Sequence, residues 1–140
     1  MVDSLIARLK KLLRCHSESP TIQQSRGRLG EDLAVRYLKK NTPCSILLRN
    51  WSDGRHEIDI ICREGDTLVF VEVRARNASA LVSGYASVNS GKRKSLRLAA
   101  LNYIKTLPQH PHTYRYDVVE LGMEGDEAKH IRYFKNVKVF

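Results

Sequence analysis

The sequence predicts an α/β fold, a mixed central sheet flanked by helices, on three observations. Two segments, "GRLGEDLAVRYLKK" and "NSGKRKSLRLAALNYIKTL", carry apolar residues at helical spacing. Several others read as strands separated by turn residues, the clearest being a hairpin around Gly65 and Asp66. The 140 residues suit a single main domain, and 42% hydrophobic with 28% charged residues excludes general disorder.

The elements follow in order. "MVDSLIARLKKLLRCHSESP" reads as a basic amphipathic helix, with Leu5, Leu9, Leu12 and Leu13 forming a stripe and Arg8, Lys10, Lys11 and Arg14 largely elsewhere. "HSESPTIQQS" then reads as a linker. Residues 1–22 are thus expected to be helix and linker, and residues 23–140 the main domain. Charges interrupt the N-terminal stripe, so it lacks a signal-peptide core, and no apolar stretch nears the ~20 residues that cross a bilayer. Cys15, Cys44 and Cys62 are few and widely spaced, which fits a reducing cytoplasm and neither a disulfide framework nor a zinc site.

In the next helix Leu29, Leu33, Ala34, Tyr37 and Leu38 mark the apolar stripe, and Glu31 lies along its edge. Taken alone, Glu31 reads as a first-turn glutamate complementing the helix dipole, worth a few tenths to ~1 kcal/mol. "CSILLRNW" is a short strand ending in a turn at "SDG". Two stronger strands follow, Glu57–Arg63 and Thr67–Arg76. The last helix starts near Ser90, a candidate N-cap, and buries Leu96, Ala99, Ala100, Tyr103, Ile104 and Leu107. "TYRYDVVEL" and "KHIRYFKNVKVF" supply the final strands, with "GMEGDEA" between them.

Alternation sets the hairpin register. A Gly65-Asp66 turn places Ile58, Ile60 and Cys62 opposite Val73, Val71 and Val69 on one apolar face. On the other face Ile61 meets Phe70, Asp59 meets Glu72, and Glu57 meets Arg74. Like charges directly opposed destabilise a sheet, so Asp59 and Glu72 need a proton, a nearby Arg or Lys, or a divalent cation between them. A salt-bridge cluster with Arg74 and an oxygen-lined cation site carry about equal weight on spacing alone.

The formal charge of +9, from 24 Lys+Arg against 15 Asp+Glu, favours a polyanionic partner, nucleic acid before an anionic membrane. Phosphodiester hydrolysis needs a cation to neutralise phosphate and activate water, and Mg²⁺ takes one or two carboxylates plus water and phosphate oxygens. Asp59, Glu72 and Arg74 would supply such a site, and Glu31 would complete it if its helix crosses the sheet's end.

A helical Glu, then Asp, then Glu-x-Lys resembles the PD-(D/E)xK restriction-endonuclease-like superfamily. More narrowly, "GRLGEDLAVRYL", "RNWSDGRHEIDII", "LVFVEVRAR", "ASVNSGKRKSLRLAA" and "YRYDVVEL" resemble the YraN-like family of bacterial proteins, distantly similar to archaeal Holliday-junction resolvases. The resemblance runs from about Gly27 to Asn136. It implies a restriction-endonuclease-like fold and a Mg²⁺-dependent endonuclease, Mn²⁺ serving as an alternative ion, acting on DNA and branched DNA in particular. It assigns Glu31, Asp59, Glu72 and Arg74 as catalytic, with Asp59 and Glu72 as the metal carboxylates. Lys92 corresponds to the family's helix-opening lysine. Relatives that pair to cut two strands imply a homodimer.

Two residues depart from the superfamily pattern. His56 replaces the glycine of "GEID", and Arg74 replaces the lysine of "EVK", keeping the charge but not readily serving as a base. Arg26, Arg28, Lys92, Arg93, Lys94 and Arg97 are candidate phosphate contacts. The same cations would serve a catalytically inactive nucleic-acid-binding module, and the N-terminal helix would serve an adaptor. His110 and His112 read as solvent-facing, Asp117 as a local charge partner of Arg115, and Trp51 and Phe70 as packing residues.

Overall fold

A computed structural model of the protein describes residues 21–79 and 89–139. The expected N-terminal helix lies outside the described residues. Helix α1 runs Ile22–Asn41, several residues earlier than the apolar stripe alone indicates. A capping box starts it: Gln24 N donates to Thr21 Oγ1 at 3.3 Å, and Thr21 N donates to Gln24 Oε1 at 3.0 Å. Part of the expected linker is therefore helix. Glu31 sits in the third turn, too deep for the first-turn dipole reading. Thr42 ends the helix, its Oγ1 donating to Leu38 O at 2.6 Å, and Pro43 follows.

The remaining elements are β1 (Ser45–Ser52), β2 (Glu57–Glu64), β3 (Thr67–Asn77), α2 (Ser90–Thr106), β4 (Thr113–Glu124) and β5 (Glu127–Phe134). They form the expected mixed sheet, in the order β1-β2-β3-β4-β5. Only β3 and β4 are parallel, and α2 belongs to the connection between them. Asn89, not Ser90, caps α2, its side chain accepting from Lys92 N at 2.9 Å. β4 extends through Glu124, so the turn to β5 is Gly125-Asp126. It repeats the Gly65-Asp66 solution, with glycine φ of 58° and 59°.

The sheet separates two cores. On one face Ile61, Phe70 and Tyr116 pack against Leu96, Ala99 and Tyr103 of α2. Trp51 and Phe70 both meet Tyr103 edge-on, at 5.4 and 5.9 Å between centroids, and are packing residues as expected. On the other face Ile60, Cys62, Val69 and Val71 pack against Ala34, Val35 and Leu38 of α1. Gly30 lets α1 come close to β3, since a Cβ there would stand 3.2 Å from Ala75 Cβ.

The hairpin has the expected register over its closed part, with Cys62↔Val69, Ile61↔Phe70 and Ile60↔Val71. There the β2–β3 ladder stops, so the expected Ile58–Val73, Asp59–Glu72 and Glu57–Arg74 ladder pairs are absent. β2 stays on β1 through Trp51↔Ile58 and Ser52↔Glu57, while β3 stays on β4 as far as Asn77↔Met123. Asn50 of β1 has a left-handed φ of 52°, and across this point the side chains change face. Ile58 packs with Ile61 rather than beside Ile60. The sheet forks at Asp59.

Candidate active site

The fork leaves an opening that Asp59 partly fills. Its Oδ2 accepts the Val73 N–H at 2.7 Å, satisfying a backbone donor that no longer reaches a β2 carbonyl. Beyond it lies a cleft of about 510 Å³. Its walls include Glu31 of α1, Asp59 of β2, Glu72 and Arg74 of β3, and Lys92 from the first turn of α2. Four positions distant in sequence, with Arg74, thus meet where two strands part.

The carboxylates are poorly compensated. Glu72 is only 2% exposed. Its Oε1 lies 3.2 Å from Lys92 Nζ and 3.9 Å from Arg74 NH1, whereas its buried Oε2 has no hydrogen-bond partner. Glu31 Oε2 is also buried without a hydrogen bond, although Arg49 NH2 stands 3.8 Å away. Burial raises the Glu31 pKa, against a hydrogen bond from Asn50, and the charge of Asp59 raises it further. The Asp59 carboxyl is pushed up to about 7 by burial first and by the charge of Glu72 second. The Val73 N–H and the Lys92 ammonium pull it back only in part.

Such a donor set suits a hard divalent cation. Among the described residues no group of three or more His, Cys, Asp or Glu side chains is placed to hold a metal ion, so Glu31 does not join Asp59 and Glu72 in one ligand cluster. The orphaned oxygen of Glu72 is the acceptor such an ion would satisfy.

The other expected residues disperse. Arg26 lines the cleft, but Arg28 does not. Arg93, Lys94 and Arg97 line a separate cavity with Leu98 and Val139. Glu57 is exposed on β2 opposite Ser52 of β1. His56 belongs to the β1–β2 turn: its backbone N–H donates to Asp53 Oδ1 at 2.7 Å and its ring meets Asp53 Oδ2 at 3.1 Å. Asn102 of α2 donates to the same Oδ2 at 2.6 Å, and these contacts hold the Asp53 carboxyl well below the usual range. His110 and His112 are exposed.

Sequence reasoning missed Arg76, Gln23 and Asn50. Arg76 was signalled by its two-residue offset from Arg74, which puts it on the same face of a strand. Asn50 carried the weaker signal of asparagine's tolerance for positive φ.

The match to "Uncharacterised protein family UPF0102" covers residues 30–121, about two thirds of the chain and every wall of the cleft from Glu31 to Lys92. The chain belongs to the UPF0102 family. A UPF0102 protein of Pelotomaculum thermopropionicum is 37% identical over 111 residues, 79% of this chain and 92% of that protein. One of Cupriavidus pinatubonensis is 44% identical over 100 residues, 71% of this chain and 77% of its own length. The expected membership of an uncharacterised bacterial family is borne out. Among the described residues no helix of this UPF0102 protein is long and apolar enough to cross a membrane.

Proposed function

We propose that this UPF0102 protein is a metal-dependent nuclease of restriction-endonuclease-like type that hydrolyses phosphodiester bonds in DNA, branched DNA included. The observation that carries the reading is the pair Asp59 and Glu72 at the fork, carboxylates that the protein's own cations compensate only in part. Asp59 and Glu72 would hold Mg²⁺ or Mn²⁺. A bound ion of this kind neutralises phosphate charge and lowers the pKa of water.

The chain's residues supply the rest. Arg74 and Lys92 would bind non-bridging phosphate oxygens and stabilise the negative charge that builds during attack. A guanidinium is a poor base, so proton acceptance falls to a carboxylate. Glu31 Oε2, buried on the cleft wall with a raised pKa, suits that role. As the water oxygen adds to phosphorus its proton would pass to Glu31, the bond to the leaving oxygen breaks, and that oxygen takes a proton from solvent. A homodimer would present two such clefts to two strands.

The test is a cleavage panel of single-stranded, duplex and branched DNA, with RNA counterparts, under Mg²⁺, Mn²⁺ or chelator. Metal-dependent cleavage should vanish in the Asp59→Ala/Glu72→Ala double variant while the fold persists. Full activity in that variant rejects the assignment.

A second reading rests on Lys92. Its ammonium, 3.2 Å from Glu72, supplies some of the charge a metal would bring, as in a nucleic-acid-binding module without catalysis. Such a module binds nucleic acid equally with and without Mg²⁺ and cleaves nothing.

A further inference from the structure

We infer that Arg26 and Arg76 form a second phosphate-binding subsite beside the cleft, which grips a polynucleotide one step away from the phosphate to be cleaved. The inference builds on the nuclease reading and adds to it a requirement for a continuous strand. It begins with Arg76, whose Nε is buried and has no hydrogen-bond partner. Among the described residues no carboxylate lies within ion-pair distance of Arg76 or Arg26, although Arg49, Arg74 and Arg115 all have one. A buried donor without an acceptor is costly, and a shift of the half-buried Arg76 side chain towards an anion oxygen relieves that cost.

The placement decides which anion. Arg26, Ala75 and Arg76 line both the cleft and an adjoining pocket of about 210 Å³, so the two cavities share a wall. Leu29, Asn77, Met123 and Gly125 complete the pocket, whose lining offers no carboxylate. Guanidinium forks match phosphate oxygens in pairs and remain charged at any working pH. Arg74 and Arg76 are two residues apart on one strand, hence about 6.8 Å apart along it, a separation that one nucleotide spans. Arg26 reaches the pocket from α1, which Gly30 lets lie close against β3. One phosphate at Arg74 and Lys92, and its neighbour at Arg76 and Arg26, describes a strand running along the open edge of β3. A diester with a single phosphate has nothing to place there.

The test uses the full chain carrying Arg26→Met, Arg76→Met or both, with Arg36→Met, an exposed site on α1, as the charge-matched control. Methionine keeps the apolar stem of arginine, and Arg76→Lys serves as a second variant should Arg76→Met fold poorly. Binding of a fluorescein-labelled 20-nucleotide strand is followed by anisotropy in chelator across a salt series. The double variant should bind roughly tenfold more weakly, and its log–log salt slope should fall by about one to two. The control should change binding less than about twofold. Under Mg²⁺, KM for the oligonucleotide should rise in the double variant and stay within about twofold in Arg36→Met.

Strand binding by the arginine variants equal to that of Arg36→Met overturns the inference, and with wild-type cleavage intact it leaves the nuclease reading standing. Weakened binding by these variants, in a protein that cleaves nothing under any metal, supports the subsite and sinks the nuclease reading instead.

Discussion

Asp59 gives the cleft a pH signature that can be measured without any substrate. Its carboxyl is pushed from 3.8 to about 7 in the folded chain. Between these values the unfolded chain has released the proton and the folded chain still holds it, so stability falls as pH rises through that window and levels off above it. At ~1.4 kcal/mol per pH unit the full gap corresponds to about 4 kcal/mol, and water in the open cleft reduces this to roughly 2–4 kcal/mol. Asp59→Asn removes the titration but keeps an oxygen to accept the Val73 N–H. In chelator, the two proteins should be nearly equal in stability near pH 4, and the variant should be the more stable by roughly 2–4 kcal/mol near pH 8. Asp53 and Glu64, whose carboxyls are held low by hydrogen bonds, give slopes of opposite sign that cancel in the comparison. Urea unfolding by circular dichroism at half-unit pH steps provides the measurement. A wild-type-minus-variant difference that stays flat from pH 4 to 8 refutes the reasoning. Mg²⁺ at ten times its dissociation constant should then raise wild-type stability at pH 8 by about 1.4 kcal/mol and leave the variant unchanged.

Three further outcomes follow from the same coordinates. Lys92→Met removes the cation 3.2 Å from a buried glutamate and should lower stability by about 1–3 kcal/mol in thermal melts, with Glu72→Gln in the same chain restoring most of the loss. Asp117→Ala should cost about 3–5 kcal/mol in chemical denaturation, because this fully buried carboxylate accepts from Arg115 Nε, Tyr133 Oη and Asn136 N. Gly30→Val should cost about 1–3 kcal/mol by forcing α1 away from Ala75, and should lower metal-dependent cleavage by displacing Glu31.

What was legible from the sequence was whatever local alternation controls. Apolar residues every second position fixed the closed end of the hairpin from Ile60 to Val71, and helical spacing found both helices. Alternation could not reveal the fork. Ile58 and Ile60 bury on opposite faces although they are two residues apart, and the letters on either side of Asp59 continue to look like an ordinary strand. The start of α1 was missed for a different reason. Thr21 and Gln24 form a capping box, but polar neighbours made the segment read as a linker. Asp117 was recognised as the partner of Arg115, whereas Tyr133 and Asn136 join it from beyond the next turn, where no local rule reaches.

The opposed carboxylates on the hairpin posed a choice between a salt-bridge cluster and a cation site, and Asp117 supplies the internal comparison. It is as deeply buried as Glu72, and there the protein meets both oxygens: Oδ1 takes Arg115 and the Asn136 N–H, and Oδ2 takes Arg115 and Tyr133. This chain can therefore build full compensation around an interior carboxylate when the role is structural. At the fork it does not. Lys92 and Arg74 approach one oxygen of Glu72 and no cation reaches the other, while burial, the charge of Glu72 and a hydrogen bond shared with it push the Asp59 carboxyl up to about 7. Buried acids left short of donors beside a water-accessible cleft are destabilising to the apo chain, and a ligand that brings positive charge removes the penalty.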